Sequence, residues 1–273
     1  GTMTVEGNNS SGITLNALLN GNLTHSGTIT LTGDNGSAIA INGGVTGDVL
    51  VRGNGTIRGQ NTGAVLVNGD IGGDLVINGS WSVSGYHSIG RPSSVTNLDA
   101  DDLQQGGSAV AIHASVGGGV TIEGMGVEDD VDDDGDGITE SAGDTNDDLS
   151  ATILTYGSAP TIAIETDGVN NIVIGTTSSG YGLHVQGTLA ASGVYDNVDA
   201  TAIRIAGSGA STVSIADGIT LDRLVSAGAS NGSAYGVVIG PNASTSVLLQ
   251  RGVLAANVTS DNAEEAVSVL INA

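Results

Sequence analysis

Cysteine, phenylalanine and lysine are absent from the 273 residues, and tryptophan occurs once, as Trp81. Without cysteine there is no disulfide, no thiolate nucleophile and no cysteine-held zinc. The same absence suits a chain that must cross a periplasm unfolded. Aromatics make up 2% of the chain, which excludes a thick core built around large rings. All cations are arginines, namely Arg52, Arg58, Arg91, Arg204, Arg223 and Arg251, and against 29 acidic residues they leave a net charge of -23. A nucleic-acid partner needs clustered cations to neutralise phosphates, so none is expected. Anionic membrane surfaces are disfavoured on the same ground. The acidic surplus selects cations, metal ions first. No run approaches the ~18 apolar residues of a membrane span, so no direct membrane insertion is expected in this segment. No signal peptide opens the chain, and Gly1-Thr2-Met3 reads as a cloning remnant ahead of a trimmed mature segment.

What is abundant is glycine, at 45 residues, together with aliphatic side chains that bring the hydrophobic content to 39%. That content is enough to fold, and its Val, Ile, Leu and Ala suit flat, repeated layers. The layers are visible as an internal repeat. Ala38-Ile39-Ala40-Ile41-Asn42-Gly43 aligns with Ala64-Val65-Leu66-Val67-Asn68-Gly69 at an offset of 26. The offset persists through Val45 and Ile71, Asp48 and Asp74, Val49 and Leu75, and Gly59 and Gly85. Stepping back by 26 places Gly12-Ile13-Thr14-Leu15-Asn16 on the same frame. The leading strand recurs at 109–112, 161–164, 182–185, 202–205, 236–239 and 266–269, which makes nine occurrences.

Each unit carries short alternating runs broken by Gly, Asn and Asp, with one face inward and one outward. A single unit cannot bury its apolar row, so stability must come from stacking on its neighbours. An antiparallel sandwich does not require a fixed 26-residue identity across three strands, and the hexapeptide rhythm of a left-handed helix is missing. The expected architecture is therefore all-β: one domain over residues 1–273, a right-handed parallel β-helix of about nine coils. At ~4.8 Å per coil the stack stands roughly 40 Å high. The column Asn16, Asn42 and Asn68 reads as a stacked corner, where Asn accepts left-handed backbone geometry and hydrogen-bonds along the stack.

The segments GSAIAINGGVTGDVLVRGNGTIRG, DADDLQQGGSAVAIHASVGGGVTIEG and GYGLHVQGTLAASGVYDNVDATAIRIAG resemble the passenger regions of bacterial autotransporters. They are most similar to the glycine- and valine-rich passengers of alphaproteobacteria, sphingomonads in particular, over roughly residues 36 to 256. The resemblance implies export across the outer membrane and display at the cell surface. It also implies that the full-length protein carries a C-terminal translocator barrel; no run of amphipathic ~10-residue strands with aromatic girdles occurs here.

Two insertions interrupt the rhythm. The first, residues 86–107, carries the strongest helix-compatible stretch, Val95–Gln105, and is read as a loop packed on the flank. The second, residues 125–150, holds eleven of the 29 acidic residues. Within it, Asp132-Asp133-Asp134-Gly135-Asp136-Gly137-Ile138-Thr139-Glu140 has the spacing of a calcium loop. Carboxylates of Asp132, Asp134 and Asp136 fill positions 1, 3 and 5, and Gly137 permits the sharp turn. Ile138 gives its carbonyl, and Glu140 acts at position 9, directly or through water. Position 12 is Gly143, with Asp144 one residue late, so the loop resembles a dockerin or thrombospondin-type site more than an EF-hand. Structural Ca2+ is the expected cofactor, ordering a loop whose like charges otherwise repel.

No catalytic constellation is evident. Polysaccharide-active β-helices need a basic residue beside carboxylates and aromatic sugar platforms. Here His184 and Arg204 read as neighbours on adjacent leading strands, a surface pair. His113 falls at the asparagine corner, and His25 and His87 in turns or loops; no Ser-His-Asp grouping follows. Gly207-Ser208-Gly209 lacks the third glycine of a phosphate loop. Thr28-Ile29-Thr30-Leu31-Thr32 alternates threonines outward, but an ice-binding face needs such ranks repeated coil after coil, and no repetition is read. The expected function is a non-catalytic cell-surface stalk or adhesive segment. Its partners are expected to be further copies of itself, or a glycan or protein on a host or other surface. The alternatives are a self-assembling extracellular filament or surface-layer subunit, and a polysaccharide-active enzyme.

Overall fold

The computed structural model describes residues 1–87, 89–94, 96–124, 150–259 and 264–272. Within them the chain is all strand and turn, with no helix. Thr2–Glu6 opens sheet A, Ser11–Leu15 opens sheet B and Leu23–His25 opens sheet D. Thr28–Thr32 then returns to sheet A and pairs in parallel with the first strand. Repeating this circuit produces eight-stranded sheets A and B and a seven-stranded sheet D. The architecture is a parallel β-helix. The 26-residue offset is its register: Thr28 pairs with Asn54, Ser37 with Gly63 and Val49 with Leu75. Thr2 and Met3 occupy ladder positions opposite Thr28 and Ile29, so the opening residues belong to the first coil.

The side chains at each inward position form columns. In sheet B, Ile39, Val65, Val110, Ile162, Ile203 and Val237 stack in register and are all buried. In sheet D the column is Val49, Leu75, Val120, Leu183 and Ile219, also buried. Sheet A accommodates the lone Trp81 because its neighbour in the column is Gly55. A Cβ at Gly55 would lie 2.2 Å from the indole. The indole Nε1–H donates to the Asn78 carbonyl at 3.0 Å, so its one polar atom is satisfied inside the core.

Coil length changes where a fourth side appears. In the first coils the chain turns from sheet B to sheet D through a corner of single bridges, Leu19 to Val45 to Ile71 to Val116. That column continues to Ile174, where the corner lengthens into the strand Ile172–Ile174. This strand founds the three-stranded sheet C, with Val213–Ile215 and Ala243–Thr245. The extra side separates Ile162 from its partner Ile203, 41 positions later in the chain.

Two asparagine columns mark the corners. Asn42 donates to Asn16 and Asn68 to Asn42, each at 2.9 Å, which is the expected ladder along the stack. These residues do not take left-handed geometry. That belongs to a second column, Asn9, Asn35 and Asn61, with φ of 56°, 55° and 53°, at the turn from sheet A to sheet B. Asn197 and Asn231 repeat it further along. Here Asn tolerates the αL conformation at the tight corner, while glycine precedes it. Gly33 and Gly59 sit at φ of 150° and 146°, and a Cβ on Gly59 would lie 1.9 Å from the Gly33 carbonyl oxygen.

Several sequence expectations are corrected. Of the nine leading strands, eight form the sheet B ladder; Leu183–Val185 belongs to sheet D instead. Its apolar alternation is the same as a sheet B strand's, and only the added side C reveals where it falls. The last strand pairs Val237 with Val269, two residues beyond the repeat frame, a slip that preserves inward and outward faces. Residues 96–104 form turns, held by Asp99 N–H donating to Asp102 at 3.0 Å. Asp side chains that capture nearby backbone donors compete with a helix of that length. The outward threonines of sheet A also run further than expected, through Thr4, Thr30, Thr56 and Ser82, before giving out at Leu154.

The described residues of the segment 86–107 lie at the A-to-B corner, between Ser80–Ser84 and Val110–Ile112. Tyr86 donates to Asp34 at 2.8 Å, and burial followed by that carboxylate pushes its phenol up to about 12. Arg91 meets Asp196 at 2.6 Å, and Tyr195 donates to the Asp102 carbonyl at 2.7 Å. If corner stacking fixes the coil, Gly59→Val is expected to lower unfolding free energy by about 2–4 kcal/mol, through strain and the close approach of Gly33. Gly90→Val, inside the insertion, should change it by less than about 0.5 kcal/mol. Urea denaturation of both variants checks this, and equal stabilities would contradict the stacked-corner account.

Candidate functional site

The outward face of sheet D gathers the polar side chains that the fold brings together. In register, Val76, Thr121, His184 and Thr220 form one outward row. Asn78 ends its strand, and Glu123, Gln186 and Asp222 lie just beyond the ends of theirs. Glu123 is held from two sides. Arg52 approaches one carboxylate oxygen at 3.0 Å, and the Asn78 amide donates to the other at 3.0 Å. Both oxygens are thereby engaged, so Glu123 is poorly placed to exchange a proton.

His184 is 7% exposed, against the expectation of an outward surface position. Its Nε2 lies 2.8 Å from Asp222, whose other carboxylate oxygen accepts from Thr220 at 2.9 Å. Burial alone would push the Asp222 carboxyl up. The hydrogen bonds from His184 and Thr220, with the charges of His184 and Arg251, outweigh it and hold the group below the ordinary carboxylate range. Arg204 is elsewhere, on sheet B, paired with Glu165 at 2.7 Å. The expected His184–Arg204 neighbourhood therefore does not form. His113 does sit at the asparagine corner, with Nδ1 2.8 Å from the Glu165 carbonyl. His25 ends an inward column beneath Val51, beside Trp81, and burial lowers its pKa.

Asp74 completes the face and was missed as a site residue, although its repeat partner Asp48 marks it in the sequence. Along this column, Asn22 accepts from the Asp48 N–H and Asp48 from the Asp74 N–H, each at 3.0 Å. The next coil offers Gly119 in register, and the ladder of side-chain rungs stops. Asp74 Oδ1 is buried and accepts no hydrogen bond from the described residues. Burial, and then the Asp48 carboxylate, push its pKa up.

The turn leading from sheet C back to sheet D walls this position. Thr177 and Tyr181 close it through a 2.9 Å backbone bond, and Thr177 packs where a Gly119 side chain would stand. Between turn and sheet lies a cavity of about 290 Å3, lined by Asp74, Val76, Thr121, Glu123, residues 177–179, His184 and Gln186. It forms where the three-sided coils give way to the first four-sided one. Among the described residues, no three His, Asp or Glu side chains converge as a metal site would require.

The calcium-loop residues Asp132, Asp134, Asp136, Ile138, Glu140 and Asp144 lie outside the described residues. Gly124 and Ser150 flank that segment in the sequence, and the Ala151 N–H donates to the Glu123 carbonyl at 2.9 Å. The described residues on either side of that segment thus meet at the corner beside Glu123. No family model matches the chain, and no curated protein or solved structure is significantly similar to it.

Because Asp222 titrates low in the folded protein, its contribution to stability is present above the unfolded carboxylate value of 3.8. It is lost as pH falls through the lower folded value. Asp222→Asn is expected to cost about 1–2 kcal/mol at pH 7 and progressively less in acid. Urea melts at pH 7 and pH 3 check this; a cost that grows toward pH 3 would contradict the pairing.

Proposed function

We propose that the chain is a non-catalytic stalk segment displayed at a bacterial cell surface, with side loops that make or stabilise contacts. The observation that carries this reading is the uninterrupted parallel ladder. Eight strands in each of sheets A and B stack over one largely aliphatic interior. Such a helix is stiff because bending it would break backbone hydrogen bonds on one side while compressing columns on the other. The functional groups lie outside that interior, on one face and at the corners. The resemblance to autotransporter passengers supports display through a translocator barrel. The lack of cysteine and the strong negative charge fit an exported, soluble surface.

Display is testable with a thiol, since the chain has none. Ser244→Cys, at an exposed position of sheet C, should react with a membrane-impermeant maleimide on intact cells making the full-length protein. Labelling only after lysis would sink the surface assignment.

Calcium belongs to the same reading, as an ordering ion for Asp132, Asp134, Asp136, Ile138, Glu140 and Asp144. Oxygen ligands of this type and spacing are what a hard divalent cation takes. Calorimetric titration of the parent should show binding and a raised melting midpoint, since a ligand that binds the folded state stabilises it. The double variant Asp132→Ala/Asp134→Ala should lose both. No heat and no shift in the parent would remove calcium from the account.

A further inference from the structure

The cavity on sheet D has a chemical character that the stalk reading does not use. Its charge is uneven. Glu123 is offset by Arg52, and His184 is tied to Asp222, whereas the Asp74 carboxylate has no ion-pair partner among the described residues; its Oδ1 is packed against Gly118, so a ligand in the cavity meets its other oxygen. An anion is therefore repelled, and a positively charged group gains most by approaching Asp74. The remaining wall consists of hydroxyls and amides: Thr121, Thr177, Ser178, Ser179 and Gln186, with Val76 as the one aliphatic side chain. A fatty or aromatic amine would leave these groups desolvated without partners. A polyhydroxylated cation would satisfy both the carboxylate and the walls. About 290 Å3 admits one small ring and its waters.

We propose that this cavity binds a single cationic amino-sugar unit, with Asp74 taking the ammonium group and Thr121, Ser178 and Gln186 taking ring hydroxyls. His184, buried and oriented by Asp222, forms the rigid back of the site. The unusual cost of keeping Asp74 ionised beside Asp48 is relieved when a cation arrives. The inference is independent of where the protein is displayed, because it rests on the shaft alone. It also places a contact along the stalk rather than in the insertions.

The whole chain can be titrated with glucosamine, glucose, N-acetylglucosamine and ethanolamine, using calorimetry and saturation-transfer NMR. One sugar unit with these few contacts is expected to bind with Kd on the order of 1 mM. Glucose and N-acetylglucosamine, which lack the ammonium, should bind at least ~10-fold more weakly, as should ethanolamine, which lacks the ring. Asp74→Asn should weaken glucosamine by ~10-fold or more. The substitution is compatible with the ladder, since Asn22 serves two rungs earlier with the same hydrogen bond. Gln186→Leu provides an independent variant and should weaken binding several-fold with an unchanged circular dichroism spectrum. Equal affinity for glucose would overturn the cationic assignment, and equal affinity for ethanolamine would overturn the sugar. Undetectable glucosamine binding, or binding indifferent to both variants, would overturn the site itself.

Discussion

Parallel stacking of one coil on the next is the constraint on which everything else in this protein depends. Each strand satisfies its backbone only by pairing with the same strand one circuit away, and each inward side chain is buried only by its counterparts above and below. The side-chain requirement is therefore local and repetitive: an aliphatic residue of about the right size at each inward position. Aromatic rings fit poorly into such columns. Trp81 is tolerated because Gly55 vacates the space beside it. The shortage of aromatics in the composition is a direct consequence of the architecture.

The corners carry a second, finer regularity. Side-chain oxygens of Asn8, Asn22, Asp34, Asp48 and Asn54 accept backbone N–H groups one coil later. These bonds satisfy donors that a turning chain would otherwise leave unpaired. They also explain why Asn and Asp recur at 26-residue intervals without being ligands. The ladder becomes chemically interesting only where it fails. At Asp74 the next residue in register is Gly119, and an acidic oxygen is left buried without its usual donor.

That failure coincides with the change from three sides to four. The chain grows a strand at Ile172–Ile174, must turn sharply to regain sheet D, and that turn roofs the face beside Asp74. The cavity thus arises from the geometry of one coil packed against another, and its residues come from four separate stretches of chain. The first insertion obeys the same logic from the other side. It enters at an existing corner, so the coils on either side keep their register while Tyr86, Arg91 and Asp102 fasten it along the flank.

Periodicity determined much of this protein by itself. The 26-residue offset specified parallel pairing, the inward columns through Ile39, Val65 and Val110, and the Asn16–Asn42–Asn68 ladder. These follow because strand alternation and stacking are local properties repeated down the chain. Tertiary structure alone decided what lies beside what once the repeat length changed. Leu183–Val185 has the alternation of a sheet B strand, and nothing local reveals that an extra side moves it to sheet D. With that move His184 leaves Arg204 and joins Asp222, and the outward face gains a cleft. Alternation specifies which way a side chain points; only the path of the chain between strands specifies which neighbour it meets.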